Sequence, residues 1–507
     1  MTASSWSVAL SGVEGSVVEV EAALGGGLPR VVVVGLPDAS LNEAKERVKA
    51  AVMASGYEFP KVLLTINLSP ASLPKHGTHF DLAIAAATMA CTGSLSRNEV
   101  RRFVFLGELG LNGRVRRVRG ILPALLAASR AGFEKAVVPA GQAGEAALVP
   151  GLEIWPVSHL RDLQDVMAGR RTHTDTEGTG ESTASREPNL DLADVHGHAD
   201  GRWVLEVAAA GRHHVYLHGS PGVGKTMLAA RLPSILPELS ASEAVEVSAI
   251  HSLAGFDIGS RLLVRPPYSD PHHNCTMASL IGGGREIRPG SISLAHRGVL
   301  FLDEAPEFGT KLLDSLRTPL ESGWVTIARA NQQVRYPARF QLVLAANPCQ
   351  CGNSGVAGRE CTCLPMQVRR YQERLSGPIL DRIDIRHQML PLKRAFLGET
   401  VDQPESSASV LGRVLEARAR QASRLRGTPW STNGEVPGSH LRKQLPLPAD
   451  ITPLERALAR GSLSHRGLDK VLRLAWTVAD LKGQDTVSSA NLRVAMQMRQ
   501  GELVEAA

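Results

Sequence analysis

One eight-residue segment carries the residue types of a phosphate-binding loop. Residues 219–226 follow a strand-like run and precede a helical pattern. Glycines let successive backbone N–H groups turn towards phosphate oxygens, and the start of the following helix adds its positive end. A lysine suits the β/γ-phosphates and a hydroxyl suits Mg²⁺, so the segment predicts an ATP and Mg²⁺ site. Its expected ligands are Gly219, Ser220, Pro221, Gly222, Val223, Gly224, Lys225 and Thr226.

Two acidic residues end an apolar, strand-like run further along the chain. Asp303 and Glu304 follow Val-Leu-Phe-Leu at 299–302. Carboxylates at the end of a buried strand suit coordination of Mg²⁺ by Asp303 and polarisation of the attacking water by Glu304. An acidic pair after a strand also serves as a helix cap, but the presence of the phosphate loop favours the catalytic interpretation.

Two further polar residues extend this set. Asn347 closes the apolar run at 342–346, where its amide could hold the water or the γ-phosphate, although Asn before Pro is also common in turns. Arg382 could reach the nucleotide of a neighbouring subunit as an arginine finger. An arginine supplied across subunits requires a ring or a filament, and closed symmetry makes the ring the simpler assembly.

Four of the six cysteines lie within fifteen residues, as two Cys-x-Cys pairs. They are Cys349 with Cys351, and Cys361 with Cys363. Four thiolates at this spacing could close a tetrahedral Zn²⁺ site, which would stiffen the connection between Asn347 and Arg382. The alternative is a set of reduced cysteines in a mobile loop.

The pattern of apolar residues predicts an α/β multidomain protein that positions these groups. Residues 1–168 form a first α/β domain, 169–187 a flexible linker, 188–392 a second α/β domain, and 393–507 a helical lid. Strands are expected at 31–34, 62–66, 135–138, 214–217, 299–302 and 340–345. Helices are expected at 39–54, 122–131, 406–424 and 468–481, and a long loop at 427–447.

Composition adds weaker constraints. The chain has 507 residues, 43% of them hydrophobic, and a net charge of +6, which permits attraction to nucleic acid but also fits ordinary solvated basic faces. The sequence shows neither a signal peptide nor a membrane-spanning run. These features predict a cytoplasmic protein without a membrane partner.

Together the motifs resemble the magnesium-chelatase-like branch of the AAA+ superfamily, that of the YifB/ComM proteins. The resemblance extends to residues 265–273, 280–284, 289–304, 375–384 and 463–473. It implies a hexameric ring that hydrolyses ATP to translocate on single-stranded or branched DNA, in branch migration or unwinding during recombination and natural transformation. A chelatase-type ATPase that remodels a protein partner for Mg insertion into a porphyrin remains the alternative.

The resemblance also implies roles for particular residues. Asn347 would be sensor 1, Arg382 the finger and Arg466 sensor 2, reaching the nucleotide from the lid. Two insertions would face the channel of the ring, one near 283–293 and one at 325–335. Arginines on such loops suit phosphate tracking along DNA, although they could be ordinary exposed charges. The expected DNA contacts are Arg285, Arg288 and Arg329.

The N-terminal domain is similar to the Lon-type protease fold, at residues 73–81, 106–115 and 120–132. His79 occupies the position of the protease serine, and residues 122–124, at the position of the lysine, include no basic side chain. Without a nucleophile and its base there is no Ser-Lys chemistry. We therefore expect a non-proteolytic binding or assembly module.

Overall fold

A seven-stranded mixed sheet forms the centre of the N-terminal domain, with the order β3-β4-β2-β1-β5-β8-β9. The structure is a computed structural model that describes residues 1–35, 39–170, 190–284, 287–329, 332–355, 360–391, 404–448 and 450–502. The strands of this domain are β1 Thr2–Ser11, β2 Glu14–Gly25, β3 Arg30–Val34, β4 Leu63–Ser69, β5 Phe103–Phe105, β6 Glu108–Leu109, β7 Val115–Arg116, β8 Lys135–Pro139 and β9 Glu153–Val157.

Helices cover this sheet. They are α1 Ala39–Ala54, α2 Asp81–Cys91, α3 Arg97–Val100, α4 Ile121–Arg130, α5 Ala143–Ala146 and α6 Leu163–Met167. Every residue of α2 is buried, as expected of a helix whose circumference is almost wholly apolar. The strands and helices predicted in this domain agree with β3, β4, β8, α1 and α4 to within three residues at each end.

The central domain contains a five-stranded, all-parallel sheet with the order β11-β14-β17-β10-β18. Its strands are β10 Val215–His218, β11 Tyr268–Ser269, β14 Val299–Leu302, β17 Gln341–Ala346 and β18 Ile385–Gln388. Every residue of β14 and β17 is buried, because a parallel sheet is covered on both faces. Two antiparallel strand pairs are separate from this sheet, β12 Gly282–Gly283 with β13 Arg288–Pro289, and β15 Trp324–Arg329 with β16 Gln332–Pro337; we call them the first and second hairpins.

The helices of the central domain connect these strands. They are α7 Ala199–Gly211, α8 Lys225–Ala229, α9 Ala241–Ala254, α10 Met277–Ile281, α11 Ser291–Leu294, α12 Gly309–Ser315, α13 Arg317–Ser322, α14 Pro365–Glu373 and α15 Gly377–Leu380.

The C-terminal region is helical, as predicted, with α16 Ser407–Arg424, α17 Gly438–Lys443, α18 Thr452–Ala459, α19 His465–Leu481 and α20 Ser489–Gln500. Its apolar residues share one core with α7 of the central domain, in which Trp476 is buried. The predicted loop at 427–447 is corrected in part, because Leu441 is buried and anchors the short helix α17. Most of the predicted linker, from residue 171 onwards, lies outside the described residues.

The N-terminal domain docks on helix α9 of the central domain. The backbone N–H of Gly120 donates to the Ser252 carbonyl (3.0 Å), and an ion pair joins Arg117 to Asp257 (2.8 Å). A Cβ added to Gly12 would lie 2.6 Å from the Arg335 carbonyl oxygen on β16. The first domain therefore contacts both helix α9 of the central domain and its second hairpin.

Candidate nucleotide site

The predicted phosphate loop lies between β10 and α8, at the carboxyl edge of the parallel sheet. Ligands of open α/β sheets bind at this edge, outside the ends of the strands. Gly222 and Gly224 have φ values of +80° and +89°, a region that other residues rarely adopt. The loop can therefore curl around a phosphate group in the way the sequence predicted.

Lys225 points back over this loop. Its Nζ donates to the carbonyl oxygens of Gly219 (2.8 Å) and Ser220 (2.9 Å) and to Asn347 Oδ1 (3.0 Å). Burial lowers the pKa of the ammonium group. Asn347 directly follows β17, which lies between β14 and β10, so the fold brings the residue predicted as sensor to the lysine predicted to bind phosphate.

Asp303 and Thr226 meet at the same edge. The Thr226 hydroxyl donates to Asp303 Oδ2 (2.6 Å), which places a hydroxyl and a carboxylate oxygen side by side. Both are ligand types that Mg²⁺ prefers, together with water and substrate phosphates. The pair is therefore suited to hold Mg²⁺ when the ion enters with ATP.

Glu304 has an unusual backbone conformation for a residue with a side chain. Its φ of 49° and ψ of 43° are left-handed, and its N–H donates to Asp303 Oδ1 (2.8 Å). The carboxylate is 52% exposed and lies 3.6 Å from Nδ1 of His273. No sequence motif predicts this histidine contact, because His273 becomes a neighbour of Glu304 only through the pairing of β11 with β14.

Arg382 lies at the opposite edge of the same sheet. It precedes β18, and Asp384, two residues further on, accepts a hydrogen bond from the N–H of His214 at the start of β10 (2.8 Å). The guanidinium contacts Glu321 and the Pro378 carbonyl oxygen and is 12% exposed. Strand β10 separates this edge from the phosphate loop, and its four residues span about 13 Å.

Arg466 accompanies Arg382. It is exposed at the start of α19, and both arginines line a cavity of about 570 Å³. The structure therefore places Arg466 at the same cavity as Arg382, and not beside the phosphate loop of its own chain. Charged side chains dominate the lining, which includes Arg212, Glu321, Arg382, Asp384, Arg466, Asp469, Lys470 and Arg473.

The two hairpins pack against each other. The Tyr336 hydroxyl donates to the Ile287 carbonyl (3.1 Å), and Arg329 donates to that of Gly284. Arg288 and Arg329 are exposed on this pair, whereas Arg285 lies outside the described residues. The fold thus gathers two of the three predicted DNA contacts on one surface.

The four clustered cysteines converge on one point. Their sulfur atoms all lie within 4.8 Å of one another, with Cys349 3.3 Å from Cys351 and 3.8 Å from Cys361, and Cys351 3.6 Å from Cys361. Tetrahedral Zn²⁺ with bonds of about 2.3 Å holds its sulfur ligands about 3.8 Å apart. The cluster is compatible with a zinc site.

The residues compared with a protease dyad show no nucleophile. Nε2 of His79 hydrogen-bonds with the Val8 carbonyl (2.8 Å), and its ring centroid lies 4.2 Å from that of Phe80, with the two planes tilted by 34°. Leu122 and Ala124 are buried in an apolar cluster. The structure therefore offers no Ser-Lys chemistry at these positions.

Comparison with known proteins identifies the family of this chain. The model for magnesium chelatase subunit ChlI matches residues 191–397, that for its C-terminal region matches 404–499, and a further ChlI model matches 20–142. The competence protein ComM of Haemophilus influenzae is 38% identical over 97% of this chain and 96% of its own length. The chain belongs to the ChlI-like ComM/YifB family. It is accordingly an AAA ATPase of the magnesium-chelatase type.

Other relatives match over similar lengths. An uncharacterized protein of Mycobacterium tuberculosis strain H37Rv is 48% identical over 98% of both chains. The uncharacterized protein YifB of Escherichia coli K12 is 38% identical over 96% of this chain and 95% of its own. Within the described residues, no helix is both long enough and apolar enough to cross a membrane.

Proposed function

We propose that this protein is a ring-forming ATPase that couples ATP hydrolysis to movement along DNA, in branch migration or unwinding during recombination and natural transformation. The position of Arg382 carries the proposal. It lies across the sheet from Lys225, so an arginine finger here must serve the nucleotide of the next subunit. A closed ring, most simply a hexamer, satisfies every such interface at once.

In this ring Arg466 completes the shared site. Since it lines the same cavity as Arg382, it reaches the neighbouring nucleotide from the same side as the finger. Glu304 polarises the attacking water, Asn347 positions it, and Thr226 and Asp303 hold Mg²⁺. The proposal also includes a structural Zn²⁺ on the four cysteines.

The DNA partner is inferred from two independent features. Arg288 and Arg329 lie on paired hairpins that suit contacts to phosphate groups, and the Haemophilus relative is named a competence protein.

We place the protein in the cytoplasm, where such DNA is processed. Residues 1–168 form the Lon-like, non-proteolytic module, 169–187 the linker, 188–392 the ATPase core and 393–507 the lid.

The alternative is a chelatase-type ATPase that remodels a protein partner, which the names of the matching family models favour. The test is the ATPase rate of the purified protein with and without single-stranded or forked DNA, at low and moderate salt. The DNA motor predicts stimulation by DNA and binding that weakens with salt. If DNA neither stimulated the ATPase nor bound to the protein at low salt, the motor would be excluded and the chelatase-type role would remain.

A further inference from the structure

The cysteine cluster lies directly against the phosphate loop. A Cβ placed on Gly352, between the two cysteine pairs, would overlap the ring of Pro221. Pro221 is the third residue of the phosphate loop, and Gly352 follows Cys351 immediately. The backbone of the cysteine segment at Gly352 thus packs directly against the ring of Pro221.

The same segment also reaches the loop from its other end. Asn347, two residues before Cys349, accepts the hydrogen bond from Lys225 Nζ (3.0 Å). Between these contacts the chain turns sharply. The N–H of Gly352 donates to the Cys349 carbonyl (3.0 Å), and that of Ser354 donates to Cys349 Sγ (3.3 Å).

Two side-chain hydrogen bonds lie beside this turn: Asn353 Nδ2 donates to the Glu360 carbonyl (3.2 Å), and Gln372 Nε2 donates to the Pro348 carbonyl (3.1 Å). Cys349 is fully buried, whereas Cys351, Cys361 and Cys363 are partly exposed. A metal ion bonded to all four sulfur atoms would join the two ends of the segment and fix its position. Metal binding of this kind supplies much of the folding free energy of small metal-bound units.

We infer that the metal-bound cysteine segment supports the phosphate loop through these contacts, so that nucleotide affinity depends on zinc. The inference rests on the zinc binding proposed above. With Zn²⁺ bound, Gly352 holds Pro221, and Asn347 holds Lys225, in the geometry that accepts phosphate. Without it the segment loosens and the loop loses its support on that side.

The first experiment measures metal and nucleotide separately on the full-length protein. We expect about one Zn²⁺ per chain by elemental analysis, and weaker binding of a fluorescent ATP analogue after the metal is removed by a chelator. Restoring Zn²⁺ should restore affinity. Zinc far below one per chain would overturn the metal site itself. Zinc that can be removed with no change in affinity for the ATP analogue would overturn only the support of the phosphate loop by the cysteine segment.

A matched pair of glycine variants separates the contact from the metal. Gly352 and Gly355 have φ values of +80° and +73°, but among the residues that the structure describes a Cβ at Gly355 meets nothing within 4 Å. Both alanine variants therefore carry similar backbone strain, and only Gly352→Ala clashes with Pro221. We expect Gly352→Ala to retain zinc and to bind nucleotide about tenfold more weakly than Gly355→Ala, the scale of an overpacked contact. Equal affinities in two zinc-loaded variants would refute the inference.

Discussion

Lys470 of the lid helix α19 donates a hydrogen bond to the backbone carbonyl of Arg382 (2.8 Å). The same Nζ lies 2.7 Å from Asp384 Oδ1, in a pair that is almost completely buried. Asp384 in turn accepts from the N–H of His214 at the start of β10. One lysine therefore connects Arg382, the proposed finger, to both the C-terminal helix α19 and the central sheet.

Replacing Lys470 by Met should destabilise the protein by about 3–5 kcal/mol, because the Asp384 carboxylate stays buried without its partner. The free energy of unfolding from denaturant titration measures this. Asp384→Asn in the same chain should recover part of the loss, since no unpaired charge remains. Lys482→Met, at the exposed end of the same helix, is the control, and an equal loss in both single variants would contradict the assignment.

Two inactive variants should complement each other if the site is shared between subunits. Arg382→Ala keeps the phosphate loop and loses the finger, whereas Lys225→Ala keeps the finger and loses nucleotide binding. In equimolar mixed rings about a quarter of the interfaces combine an intact loop with an intact finger. ATPase activity should therefore reappear on mixing after subunit exchange. Mixtures no more active than their components would argue against action across subunits.

Glu304→Gln should bind ATP and hydrolyse it about 10²–10⁴-fold more slowly, because the amide cannot polarise the attacking water. Single-turnover hydrolysis, measured beside equilibrium binding of the analogue, separates the two steps. Lys225→Ala should fail at binding itself. Hydrolysis by Glu304→Gln at the unaltered rate would make the assignment of the water-polarising residue wrong.

The sequence predicted the elements that meet the nucleotide because each motif is local. The phosphate loop lies between a strand and a helix, and the other predicted polar residues follow strand ends. Because parallel strands bring these ends to one edge of the sheet, the sequence is enough to place these residues together. The meeting of Arg466 with Arg382 at one cavity follows from how α19 packs on the central domain, which no short pattern encodes. The contacts of His273 with Glu304 and of Gly352 with Pro221 likewise join segments distant in the chain.

Acidification should destabilise the junction between lid and core. Burial lowers the pKa of His213 and of His214 to about 4, against 6.5 for an ordinary histidine. The folded chain thus binds fewer protons than the unfolded chain between these values, so stability is fully present above pH 6.5 and is lost as the pH falls towards 4.

Denaturant midpoints at several pH values test this expectation. His213→Gln should lose less stability than the wild type between pH 6.5 and 4, whereas His465→Gln, exposed at the start of α19, should follow the wild type. The same loss of stability in His213→Gln and the wild type would show that His213 titrates normally in the folded protein.

Removing hairpin arginines should weaken DNA binding uniformly across sequences. Arg288 and Arg329 lie on one surface, and each phosphate contact releases about one counterion, so either alanine variant should reduce the slope of log affinity against log salt by about 1. Fluorescence anisotropy of labelled single-stranded DNA over a range of salt concentrations measures the slope. Arg102→Ala, on the N-terminal domain beside Glu99, removes the same charge elsewhere and should leave the slope unchanged. If all three variants altered the slope equally, the effect would come from net charge and not from the hairpins.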